Sequence, residues 1–288
     1  MDLKKWFSAF ITPLERGLKF LTSNSLFLAL NGSMVVVFAY FLYEIEMAPI
    51  LLLLAFLTTF SIYGLNKTTD NAEDAINRPE TVSRDKAHYL VPSIAAMLVS
   101  LALGTLIGIT VFEILIAPLI IGVVYSVRLS KAIPRLKDIV GLKSGMVAFS
   151  WAFTGSLLPA SLQAVDVEKI VLVFIFIFIQ LLVNTILFDV LDMKGDWHAG
   201  VKTIPIALGR TKTKNLLFLV NSALWPWIAY CFFRGFFLEY LPALIFGIFY
   251  GYAITRGILG CDCPRLLADI VVDGEWIPIV ALIKTLMR

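Results

Sequence analysis

The chain has 288 residues, 59% of them hydrophobic and only 16% charged, with a formal net charge of +3. That balance excludes a soluble globular domain, in which about a quarter of residues are charged, and gives no basis for nucleic acid as a partner. Three cysteines, Cys231, Cys261 and Cys263, fit neither a disulfide framework nor a zinc site, because no second Cys or His pair lies near them.

Residues 1–22 set Lys4, Lys5, Arg16 and Lys19 among Trp6, Phe7, Phe10, Ile11, Leu14 and Leu18. This spacing predicts an amphipathic helix lying on a membrane surface. Charge interrupts its apolar residues and no small-residue cleavage site follows, so a signal peptide is not expected. Apolar runs long enough to cross a bilayer then recur. The first spans Leu26 to Tyr43 and the second Ala48 to Leu65, followed by polar residues 67–87. Residues 89–127 are too long for one crossing and split near Gly108–Thr110 into two, with Glu113 expected in the connecting loop. The fifth span covers Leu142 to Leu162 and the sixth Ile170 to Phe188. The seventh covers Leu216 to Phe233, the eighth Tyr240 to Ile254 and the ninth Ile270 to Met287. The run Phe174 to Ile179 alternates like a strand, but a lone strand cannot satisfy its backbone in lipid, so a helix is expected. Asp273 and Glu275 are expected to mark a late start to the last span.

The expected fold is therefore all-α: a single polytopic membrane domain over residues 1–288. With nine spans, all but four of the 24 Lys and Arg fall on one side, the exceptions being Lys169, Arg234, Lys284 and Arg288. The positive-inside rule makes that side cytoplasmic, with the protein in the plasma membrane.

Two polar runs stand out on that side. Asn66, Asp70 and Asp74 recur every four residues after the second span, and Asp189, Asp192 and Asp196 follow the sixth at spacings of three and four. Either spacing places the groups on one helical face. Clustered carboxylates repel one another unless a cation compensates, and hard oxygen ligands suit Mg²⁺ shared with a diphosphate. Lys67, Arg78, Arg128, Lys131, Lys194 and Lys202 are candidate contacts for the remaining phosphate oxygens. An anionic headgroup beside an apolar bundle suggests a lipid diphosphate. Cleavage of its allylic C–O bond leaves a carbocation that must be shielded from water, and Tyr125, at the end of the fourth span, could face it with its ring. Asn31, Gly32 and Ser33 interrupt the first span and either touch the acceptor or, as the favoured reading, sit at a close helix contact. Gln180 and Asn184, one turn apart on the sixth span, face either the cavity or another helix.

Asn66-x-x-x-Asp70-x-x-x-Asp74 with Asn77-Arg78-Pro79, and Asp189-x-x-Asp192-x-x-x-Asp196 followed by residues Ala199 to Pro205, resemble the two signatures of the UbiA superfamily of intramembrane prenyltransferases. The resemblance implies nine helices around a central cavity capped by cytoplasmic loops. It also implies Mg²⁺-dependent transfer of an isoprenyl group from its diphosphate to an aromatic or lipid acceptor. Carried over by position, Asn66, Asp70, Asp74, Asp192 and Asp196 would hold Mg²⁺ and diphosphate, Asp189 would support the second run, and Arg78 and Lys202 would contact phosphate. Asp70, Asp192 and Tyr125 would be the catalytic centre. Two departures are visible. The position four after Tyr125 holds Leu129 where many relatives have Lys, with Arg128 and Lys131 beside it. Glu80 to Arg84 replace a second Arg-Pro and its turn. The competing class is an ion-coupled carrier, which also places acids along a bundle. The acids here gather at one mouth, and no inverted repeat is visible.

Overall fold

The computed structural model describes residues 3–69, 75–78, 86–126, 139–260 and 263–287, with side chains from residue 13 onward except at 123–126. Among the described residues there is no β-strand. The helices are α1 (Leu3–Ser23), α2 (Leu26–Tyr43), α3 (Pro49–Thr69), α4 (Lys86–Ile107), α5 (Ile109–Ser126), α6 (Leu142–Ala160), α7 (Val167–Leu191), α8 (Met193–Ala199), α9 (Ile204–Leu208), α10 (Arg210–Ser222), α11 (Leu224–Arg234), α12 (Leu241–Gly260), α13 (Arg265–Asp273) and α14 (Trp276–Leu286).

Among the described residues, six segments are long and apolar enough to cross a membrane: α2, α3, α4, α7, residues 210–234 spanning α10 and α11, and residues 238–260 ending in α12. The other three expected spans correspond to α5, α6 and the α13–α14 pair. The 89–127 run divides at Gly108, as its length demands. Glu113 lies within α5 on an exposed face rather than in a loop. Gly108 alone separates α4 from α5, so there is no loop to hold it.

Two expected spans are each broken once. Pro226 and Pro278 both occupy the third position of their helices, α11 and α14. A proline donates no N–H and its ring clashes with the carbonyl four residues back. These carbonyls belong to Ser222 and Gly274, where the preceding helices end. The second break accounts for Asp273 and Glu275. Asp273 closes a short helix, and the last helix starts late, at Trp276, with Glu275 fully buried at its N-cap position.

Helix α2 sits near the centre, packed on α3, α6 and α14, while α6 lies along α7 and α3 along α4. Phe38 of α2 stacks on Phe176 of α7 and meets the edge of Trp276 of α14, at ring separations of 5.5 and 5.0 Å. The Phe174–Ile179 run is helical, with Phe176 and Ile177 buried. Close approach is set by small residues. A β-carbon at Gly155 would lie 2.4 Å from Val35 Cγ1, so only glycine lets α6 meet α2 there. The Asn31–Ser33 stretch packs as expected: Gly32 lies against Thr59 of α3, and Ser33 Oγ donates to Leu52 O at 2.8 Å. Large apolar residues such as Leu106 and Phe233, each 83% exposed, point outward. In a bilayer these faces meet lipid.

Candidate functional site

The ends of α3, α6, α7 and α13 surround a cavity of about 230 Å³. A smaller, apolar chamber of about 70 Å³ lies between α2, α3, α5 and α6. Tyr63, Asn66, Val147 and Trp151 line both spaces, so the polar mouth and the apolar interior share a wall. Trp151 Nε1 donates to Tyr63 Oη at 2.9 Å, which fixes both rings.

Asp189, Asp192 and Asp196 all line the larger cavity. Asp189 lies in the last turn of α7, Asp192 joins α7 to α8, and Asp196 lies in α8. A cation from elsewhere in the chain meets each carboxylate. Lys143, at the start of α6, places Nζ 3.0 Å from Asp189 Oδ1 and 3.0 Å from Asp196 Oδ2. Ser144 Oγ donates to the other oxygen of Asp189. Arg265, at the start of α13, grips both oxygens of Asp192 through Nη1 and Nη2, at 2.5 and 3.4 Å. Its Nε donates to Asp269 at 3.2 Å, and its guanidinium lies over the ring of Phe188. Burial pushes the Asp196 carboxyl up to about 7. Lys143 opposes that rise, and the charges of Asp189 and Asp192 add to it.

The first signature reaches the second through its described residues. Asn77 Nδ2 donates to Asp192 O at 3.2 Å, and Asn77 Oδ1 accepts from Gly195 N at 3.0 Å. Arg78 reaches Asp269, with Nη2 2.8 Å from Oδ1 and Nη1 3.3 Å from Oδ2. An Arg78–Asp269–Arg265–Asp192 chain therefore links the first signature to the second through α13.

The predicted residues divide accordingly. Asn66, Lys67, Arg78, Asp189, Asp192 and Asp196 come together around one cavity. Lys67 Nζ also donates to Ser23 O at 2.7 Å, holding the end of α1. Lys202 is exposed and lies outside the cavity wall, which its neighbour Val201 joins instead. The loop from Gly200 to Thr203 turns the lysine outward while burying Val201 and Thr203. Asp70, Asp74, Arg128 and Lys131 lie outside the described residues, as does the side chain of Tyr125. Of the two readings of Asn184, both hold: it lines the cavity and donates to Val272 O at 3.0 Å, whereas Gln180 is fully buried. Sequence reasoning assigned no role to Lys143, Arg265 or Asp269. Each is a lone charge at a helix start or in a short polar segment, and only the folded chain brings it beside the acids.

Residues 25–260 match the UbiA prenyltransferase family. No curated protein sequence matches the chain. Among solved structures, a UbiA homologue from Archaeoglobus fulgidus bound to DMAPP and Mg²⁺ is 17% identical, with a TM-score of 0.66 over 93% of this chain and 99% of that one. An apo UbiA homologue from Aeropyrum pernix K1 is 14% identical, with a TM-score of 0.67 over 90% and 98%. A digeranylgeranylglyceryl phosphate synthase is 15% identical, with a TM-score of 0.56 over 94% of each chain. The chain belongs to the UbiA prenyltransferase family and is an integral membrane prenyl transferase.

Proposed function

We propose that this enzyme transfers an isoprenyl group from an isoprenyl diphosphate to an aromatic or lipid hydroxyl acceptor within the membrane, with Mg²⁺ on the diphosphate. The observation that carries the reading is the graded cavity. Carboxylates and cations line its mouth, Tyr63 and Trp151 form its middle, and the chamber beyond is apolar. A diphosphate suits the first region and an isoprenyl chain the last. The A. fulgidus homologue bound to DMAPP and Mg²⁺ supports the donor, and the digeranylgeranylglyceryl phosphate synthase supports a lipid acceptor.

The residues fit Mg²⁺. Among the described residues no three carboxylates converge on one point. Mg²⁺ needs no such cage beside a diphosphate, because it takes one or two carboxylates and fills its octahedron with phosphate oxygens and water. Asn66, Asp192 and Asp196, with Asp70 and Asp74 of the first signature, would hold the ion, and Asp189 would support them. When bound, the ion neutralises charge on the departing diphosphate. Lys67, Arg78 and Lys143 stand at the same mouth to meet phosphate oxygens, with Arg128, Lys131 and Lys202 as further candidates from the loops. Tyr63 and Trp151 exclude water from C1 of the donor and present ring faces to positive charge. Tyr125 is proposed for the same role. The distribution of Lys and Arg supports placing the mouth on the cytoplasmic side of the plasma membrane.

The test is thermal stability of the purified protein in detergent, with isoprenyl diphosphates of ten to twenty carbons and with or without Mg²⁺. A ligand bound only to the folded state raises the melting temperature. The expected shift needs both components and is lost in Asp192→Asn and Asp70→Asn. Turnover in these variants falls on the order of 100-fold or more, as when a charge-stabilising group is removed from other sites. A folded protein that shifts with no donor would overturn the reading.

A further inference from the structure

Helix α13 carries a stripe of charge at four-residue spacing: Arg265, Asp269 and Asp273. That spacing places all three on one face, with Asp273 about 12 Å along the axis from Arg265. Arg265 is anchored at the mouth by Asp192. The next helix begins at Trp276, which packs on Phe38 in the core. Asp273 therefore stands below the diphosphate mouth and above the apolar packing. It shares the cavity wall with Tyr63, Trp151 and Asn184.

Its state differs from that of the other carboxylates there. Asp189 and Asp196 share Lys143, and Asp192 is held by Arg265. Asp273 has no hydrogen bond or ion pair among the described residues. On the cavity wall it is joined by Lys67, Arg78 and Arg265 toward the mouth and by Tyr63. It also lies beyond residues 25–260, so the match to the family says nothing of it.

We propose that Asp273 is the catalytic base that takes the proton of the acceptor. This rests on the prenyl-transfer reading above and completes its chemistry. The donor's C1–O bond breaks and the diphosphate leaves with the electron pair. The acceptor's nucleophilic atom, still bearing its hydrogen, gives an electron pair to C1. Its bond to hydrogen then breaks, and the proton passes to a carboxylate oxygen of Asp273. Without that transfer, the new bond leaves a positive charge on the acceptor inside an apolar cavity. The position implies an acceptor with an apolar body and one protic nucleophile, reaching the cavity from the membrane. A hydroxyl lipid and a hydroxyaromatic share that chemistry.

The experiment compares wild type, Asp273→Asn and Asp273→Ala, each with Mg²⁺, an isoprenyl diphosphate and either an alkylglycerol or a hydroxybenzoate. General-base catalysis contributes about 10²–10⁴-fold, so Asp273→Asn is expected to lose about 100-fold or more of transfer. Its melting-temperature shift with donor and Mg²⁺ should persist, showing a folded donor site. Added formate supplies a carboxylate in the space left by Asp273→Ala and is expected to restore transfer about tenfold, a response that a purely structural role would not give. The acceptor that wild type uses separates the two sources. Asp273→Asn activity within about threefold of wild type, or Asp273→Ala unmoved by formate, would overturn the assignment. If wild type binds donor but transfers to neither acceptor, the acceptor class proposed above fails, and this inference fails with it.

Discussion

Lys143 stands 3.0 Å from both Asp189 and Asp196, which are 3% and 2% exposed. Removing one partner of a buried ion pair leaves the other charge uncompensated, at a cost of 3–5 kcal/mol when both are fully buried. Lys143 keeps 24% exposure, so Lys143→Met should lower metal-free stability by a smaller amount, on the order of 2 kcal/mol. The same variant should gain more from Mg²⁺ than wild type does, because the metal would then be the chief cation at those acids. Denaturation with EDTA and with Mg²⁺ would measure both effects, and equal Mg²⁺ responses would contradict the argument. Asp196 adds a pH dependence. Its carboxyl is raised from 3.8 to about 7, first by burial and then by the neighbouring acids. The folded protein therefore holds a proton that the unfolded chain releases across that window. Stability in EDTA should fall as pH rises from about 4 to about 7, by at most about 1.4 kcal/mol per unit, and level off above. A metal-free stability that rises through pH 5–7 would refute it. The second acidic run was legible from spacing, because residues three and four apart stay neighbours across the short joint between α7 and α8, and all three line the cavity. The cations that hold the second run were not. Lys143 lies 53 residues before Asp196, and Arg265 lies 73 after Asp192, and no local pattern connects such distances.

Helix positions were legible where length in a bilayer decides them, as at Gly108 and in the Phe174–Ile179 run. Breaks were less so. Pro226 and Pro278 sit inside apolar stretches that read as continuous, yet each starts a new helix. The same residue type is accommodated within α4 as Pro92 and α5 as Pro118, so a proline alone does not say which helices will break. The break before Pro278 has a consequence at the site, since it ends α13 at Asp273 on the cavity wall. Packing between helices depends on a few small residues that composition does not single out. A β-carbon at Gly64 of α3 would fall 1.9 Å from Ser93 Oγ of α4. Gly64→Ala must then separate the two helices or displace Ser93, an overpacking cost of about 1–3 kcal/mol. Ser93→Gly should recover most of that loss in the double variant, read as a thermal-stability cycle. Failure of the second change to rescue the first would mean that α3 and α4 do not meet through this pair.

Across the whole molecule, an enzyme that draws donor and acceptor from the bilayer must present its mouth to one aqueous side and its cavity to the hydrocarbon. Charge placement predicts which side. Lys212, in α10, belongs with the acidic runs, and Arg234, at the end of α11, is assigned to the opposite face. Residues 210–234 form one of the six segments able to cross. At 1.5 Å per residue they extend about 37 Å, more than the roughly 30 Å hydrocarbon thickness even with the bend at Ala223. Both side chains are exposed. With Cys231, Cys261 and Cys263 replaced, Arg234→Cys in intact cells should react with a membrane-impermeant maleimide, and Lys212→Cys only after permeabilisation. Labelling in the reverse order would put the mouth outside and invert the topology without changing the fold. Labelling of both from one side would mean that α10 and α11 turn back on themselves at Ala223. The number of crossings would then fall by one, and the charge asymmetry that orients the cavity would lose its basis.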